Sequence, residues 1–166
     1  MIISVSELRE YITTSLSDEV LESKLSGIEI AIRKITNNNF QNRNKRTVAD
    51  IIGSRLVFEY PYITEGDTIQ ISQSKLNEGL YVYDLYLTLL DEENVLITKI
   101  EYPADIKMGV VNLLKWDIEN RDKVGISSET ISRHSVTYSN MDGSNSFNGY
   151  PKSLMGFLTP YMKARF

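Results

Sequence analysis

The apolar residues Leu21, Leu25, Ile28, Ile32 and Ile35 follow one another at steps of four and three. That spacing puts all five on one face of a helix over four turns. Ser17 stands where a cap belongs, and Asp18 and Glu19 suit the positive end of the helix dipole. Asn37-Asn38-Asn39 stops the pattern, because Asn tolerates the left-handed conformation at a helix end. A shorter helix is predicted before it. Ser4 and Glu7 have capping-box spacing, and Ile3 and Leu8 are placed as a hydrophobic staple.

Between about Thr47 and Tyr102 the period changes to two. Leu56, Phe58, Tyr60 and Tyr62 alternate with other residues, as do Ile69 and Ile71. Tyr81, Tyr83, Leu85, Leu87 and Leu89 share a face, and Val95, Ile97 and Lys99 oppose Leu96, Thr98 and Ile100. The turn signals EGD (65–67), NEG (77–79) and DEEN (91–94) separate these four runs. Such a pattern predicts a small antiparallel β unit, with Pro61 marking an edge strand or its end.

Pro103 suits the first turn of a third helix. Ile106, Val110 and Leu113 form one stripe on it and Val111, Leu114 and Ile118 a second, a wide apolar face of the kind a bundle's central helix carries. A polar stretch follows, and Leu154, Phe157, Leu158 and Tyr161 then recur at helical spacing until Pro160 interrupts. The predicted fold class is α+β: a small α-helical bundle core with an inserted antiparallel β unit and an extended C-terminal arm. Residues 1–46 and 103–126 make the helical core, 47–102 the inserted β unit, and 127–166 the C-terminal arm with a short terminal helix.

The 166 residues are 42% hydrophobic and 24% charged, with net charge −4, an ordinary globular composition. The negative sign argues against a protein whose main task is gripping phosphates. There is no cysteine, so disulfides and thiolate metal sites are excluded. The N-terminus lacks a basic region and a long apolar run, and is read as mature sequence without a signal peptide. No stretch has the roughly 18 apolar residues of a membrane-spanning helix.

His134 is the sole histidine, so no zinc set can be assembled around it. No Gly-x-Ser-x-Gly element supports a catalytic triad either. The stretch from Asn140 to Pro151 superficially follows a calcium loop, but its sixth residue is Asn145 and its twelfth Pro151, which fails at both diagnostic places. Catalytic, cofactor and metal sites are therefore all expected to be absent. Arg33, Lys34, Arg43, Lys45 and Arg46 lie in a run without an acid; Arg43, Lys45 and Arg46 form a candidate patch for DNA or an acidic partner. Ten tyrosines hint at contact surfaces, above all Tyr150 and Tyr161 near the C-terminal end.

Three blocks carry a resemblance: SLSDEVLESKLSGIEIAIRKITNNNF, then YPADIKMGVVNLLKWDIENRDKVGISSETISRHSVTY, then GYPKSLMGFLTPYMKARF. In this order they resemble the head–tail connector, or adaptor, proteins of long-tailed double-stranded DNA phages. The weight lies in the order, and the segment at 47–102 departs from the leanest helical members. The resemblance implies a non-enzymatic virion structural protein at the head–tail junction, made in the host cytoplasm. Its copies would form a ring below the portal, following the portal's twelve-fold symmetry and extending the DNA channel. Its partners would be itself, the portal protein and a downstream neck or tail-completion protein. DNA would pass without sequence-specific binding, and no membrane or cofactor would be involved. The alternatives are another neck component, a stopper or tail-completion protein, and a DNA-binding module. The partner interface with the portal or a neighbouring subunit is expected at Tyr150, Leu154, Phe157, Leu158, Tyr161, Arg165 and Phe166, on a trailing end left unsatisfied until another subunit receives it.

Overall fold

The computed structural model describes residues 1–84, 87–121, 128–131, 134–137, 146–147 and 149–164, with 128–131, 134–137 and Phe147 described by backbone alone. The chain divides into two compact units, one of Met1 with 38–102 and one of 2–37 with 103–166.

The first unit is a curled antiparallel sheet of five strands: β1 (Gln41–Ile52), β2 (Arg55–Val57), β3 (Thr68–Ser72), β4 (Gly79–Val82) and β5 (Glu92–Ile100). Their spatial order is β2-β1-β5-β3-β4. Alternate residues Ala49 and Ile51 of β1, Ile69 and Ile71 of β3, and Val95 and Ile97 of β5 point into one core, with Leu56, Ile63 and Leu89. Gly53 and Ser54 join β1 to β2, both with positive φ (57° and 63°). A two-residue hairpin of this kind matches the right-handed twist of its strands. The Asp91 carboxylate fixes it by accepting from the Gly53 amide at 2.7 Å.

The second unit holds α1 (Val5–Leu8), α2 (Asp18–Thr36) and α3 (Ala104–Asn120). It also holds the hairpin β6 (Ser128–Ile131) with β7 (His134–Thr137), the short pair β8 (Ser146–Phe147) with β9 (Tyr150–Pro151), and a terminal 3-10 helix, Lys152–Tyr161. Ser4 caps α1 and Ser17 caps α2, their side chains accepting from the amides of Glu7 and Val20. Asn37 ends α2 in the left-handed conformation (φ 48°, ψ 39°). Leu21, Leu25, Ile28 and Ile32 are buried, as are Ile106, Val110, Val111, Leu113 and Leu114.

The expected helical-bundle core is not found. Two long helices are present among the described residues, and the largest element is the five-stranded sheet. The longest strand, β1, begins at Gln41, inside a stretch expected to belong to the helical part. Its first half, QNRNKR, offers no apolar alternation, and it bulges: the six residues from Gln41 to Arg46 face three on β5, Thr98 to Ile100. The short terminal helix expected at the end of the C-terminal arm is a ten-residue 3-10 helix that runs through Pro160, with the Phe157 ring against Gly109 of α3. Much of the expected arm before it lies outside the described residues. The long run expected at 80–90 is a strand only to Val82, and Leu85 and Tyr86 lie outside the described residues.

Candidate functional site

The terminal segment is the place where most candidate residues fall, and it is engaged within its own unit. Leu158 is fully buried. The ring of Phe157 lies so close to α3 that a β-carbon on Gly109 would come within 2.4 Å of it. Leu154 is half-buried. The Tyr161 hydroxyl lies 2.7 and 2.8 Å from the two carboxylate oxygens of Asp105, in the first turn of α3. That bond, with burial and the neighbouring charge, raises the Tyr161 phenol above its ordinary value. Beyond it, the Lys163 amide donates to Thr36 O at 2.8 Å and Asn37 Nδ2 donates to Ala164 O at 3.0 Å. The tail thus runs back to the end of α2. Arg165 and Phe166 lie outside the described residues. Of the large apolar residues along the described tail, Met162 is the one left open, 53% exposed.

At the other end of the tail, Arg121 forms a clasp. Its guanidinium sits 5.5 Å from the Trp116 ring centroid and 4.9 Å from that of Tyr150. It pairs with Asp117 through Nε at 2.5 Å and also through Nη2, and Nη1 donates to Gly149 O at 3.0 Å. Asp117 is 3% exposed and also takes the Lys24 ammonium of α2 at 2.6 Å. Gly149 has φ 77°, which favours glycine, and a β-carbon there would meet Arg121 Nη1 at 2.9 Å and displace the guanidinium. Burial raises the Tyr150 phenol above its ordinary value, helped by the Asp117 charge and opposed by Arg121. A cleft of about 470 Å³ beside this cluster is lined by Lys24, Gly27, Ile28, Ala31, Asp117, Arg121 and Tyr150.

The basic run is divided between the two units. Arg33 and Lys34 end α2, whereas Arg43, Lys45 and Arg46 lie on β1. Lys45 bonds Glu101 at 2.6 Å, and Asn42 Nδ2 bonds the other carboxylate oxygen at 2.6 Å, so Glu101 pins the bulge. Arg43 and Arg46 are exposed and make no ion pair among the described residues. They stand in a unit with ten acidic and six basic residues, while the other unit is balanced at twelve each. The whole net charge of −4 therefore belongs to the sheet unit, which disfavours that unit as a phosphate-gripping surface. The His134 side chain is outside what the structure describes. No group of three metal-ligating side chains occurs among the described residues.

Sequence reasoning missed Gly109, Asp117 and Arg121. An Asp–Arg pair at i, i+4 on a helix was visible at 117 and 121, but nothing in it announced the aromatic residues on either side. No family profile and no curated protein matches this chain.

Proposed function

We propose that this protein is a structural connector of a tailed phage: a ring-forming subunit that sits on the portal of the filled head, continues the DNA channel and offers a surface to the next neck protein. It catalyses no reaction. One observation carries the reading. The three blocks that resemble connectors supply α2, α3 with the β6–β7 hairpin, and the tail, which belong to one compact unit. The segment that departs from the lean connector pattern is the other unit. The resemblance therefore falls almost entirely within one folding unit, though α1 and residues 139–148 of that unit lie outside it.

The self-docked tail changes where contacts are sought. Leu158, Phe157 and Tyr161 are occupied by their own helices, so in this conformation they are not open anchors for the portal. Contacts with partners fall instead to surfaces that the unit leaves unpaired.

A second reading, a stopper or tail-completion protein, takes its support from the five-stranded sheet. Immunogold electron microscopy on particles from a tail-deficient infection separates the two. Label at the vertex of DNA-filled, tailless heads supports the connector. Label found only on free tails contradicts it and favours the second reading.

A further inference from the structure

The three most exposed large aliphatic side chains among the described residues are Leu90, Ile52 and Leu76, at 61, 60 and 58%. They belong to separate stretches of the sheet unit, and the fold brings them to one end of it. Leu90 stands between the other two. On one side the Asn77 side chain bonds its amide and its carbonyl, at 2.8 and 2.9 Å, next to Leu76. On the other, the Ser54 hydroxyl donates to Leu89 O at 2.9 Å and the Gly53 amide donates to the Asp91 carboxylate at 2.7 Å, next to Ile52. Scattered apolar residues are normal on a surface, but a contiguous exposed group marks a contact site.

This group is held in place before any partner arrives. The Glu92 carboxylate accepts from the Ser74 hydroxyl at 2.5 Å and from the amides of Lys75 and Leu76 at 2.6 and 3.3 Å. Order already present in the free protein lowers the cost of binding. Beside the group lies a hollow of about 630 Å³, walled by Ile52, Lys75 and the acids Asp50, Asp91, Glu92 and Glu93 among others. Three of these carboxylates serve the fold: Asp50 accepts from the Asn94 amide, Asp91 holds the β1–β2 turn, and Glu92 holds the loop that carries Leu76. Glu93 is exposed and has no partner among the described residues.

We infer that this end of the sheet unit docks onto a second virion protein, on a surface where lysine or arginine flanks apolar residues. Leu90, Ile52 and Leu76 are the anchors, and the acidic hollow receives the cation. Charge selects this occupant over others. An anionic lipid surface repels the four acids. A second copy of this chain is a poor match, because the same end is acidic and neither unit is net positive: the sheet unit has ten acids and six bases, the other unit twelve of each. The inference rests on the connector reading for placing the partner in the portal or neck. It gives a task to the segment that departs from the lean connectors.

A photochemical label at Leu90 tests it. The protein has no cysteine, so Leu90→Cys takes a single benzophenone maleimide. The labelled chain is irradiated with the portal protein of the same virus, and separately with its tails. A covalent adduct to one of them is expected, with lysine or arginine in the crosslinked peptide. Adding Glu93→Lys should cut the adduct about tenfold, because the partner's cation then meets a like charge. If that variant unfolds, Leu76→Ser replaces it, with a similar fall expected. Adducts between copies of this chain alone, no adduct, or an adduct that the substitution leaves undiminished overturns the inference. Mass spectrometry of purified particles tests the connector reading separately. A chain absent from particles overturns that reading, while the adduct still decides the docking surface.

Discussion

The ring of Phe157 lies against Gly109, so close that three of its atoms fall within 2.5 Å of where an alanine β-carbon would stand. This contact joins the tail to the middle of α3. It explains why a glycine occupies a buried helical position, where it costs about 1 kcal/mol in propensity relative to alanine. Gly109→Ala is expected to destabilise the protein despite that propensity gain, because overpacking costs about 1–3 kcal/mol. The net loss should be near 1 kcal/mol by thermal denaturation, with faster tryptic cleavage at Lys152 and Lys163. In the Gly109→Ala background, Phe157→Ala should cost less than it does in the parent.

Asp117 is expected to matter more than its surface neighbours. It is almost fully buried and takes two cations, Lys24 and Arg121. Both cations are about a third or more exposed, so solvent moderates the loss. Asp117→Ala should destabilise by about 2 kcal/mol. Arg121→Lys should retain the charge but lose the bond to Gly149 O and the stacking between two rings. Proteolysis within 122–148 should accelerate in both variants.

Asn77 organises the far end of the sheet unit. It is buried at 4% exposure. Its side chain donates to Leu90 O at 2.9 Å and accepts from the Leu90 amide at 2.8 Å. It also bonds Glu92, whose carboxylate takes the Ser74 hydroxyl and the Lys75 amide. Asn77→Ala leaves these groups unpaired and is expected to cost about 1–3 kcal/mol in chemical denaturation. An exposed change such as Glu78→Ala should fall within about 0.5 kcal/mol.

The sheet unit should weaken in acid. Burial pushes the Asp67 carboxyl up, but the Lys99 ammonium and the amide and hydroxyl of Thr64 outweigh it and hold it below its ordinary value. Bonds from Lys45 and Asn42 hold Glu101 below its ordinary value. A depressed folded value means stability that is complete above the unfolded value and lost as pH falls through the folded one. The melting temperature should therefore drop below about pH 4. Asp67→Asn should lower stability at neutral pH and flatten its dependence on pH. An unchanged acid profile in that variant would remove Asp67 from this account.

The helices were legible because their information is local. A cap, a stripe at steps of three and four and a left-handed Asn suffice to place α2, and the structure buries Leu21, Leu25, Ile28 and Ile32 of that stripe and half-buries Ile35. β1 was not legible, because its polar first half bulges and shows no alternation, while the residue that pins it, Glu101, lies 56 residues from Lys45. The tail was half legible. Its apolar spacing was read correctly, but the spacing cannot say whether those residues meet another chain or α3. The deciding residue, Gly109, bears no side chain to be noticed. The clasp failed to show for the same reason: Arg121 meets Gly149 and Tyr150 across 28 and 29 positions.

The central claim is that copies of this chain close into a ring on a portal. Native mass spectrometry of the purified protein mixed with the portal protein of the same virus tests it directly. The account predicts a complex with twelve copies on each portal dodecamer. Free portal beside unbound single copies, at micromolar concentrations of both, would contradict it.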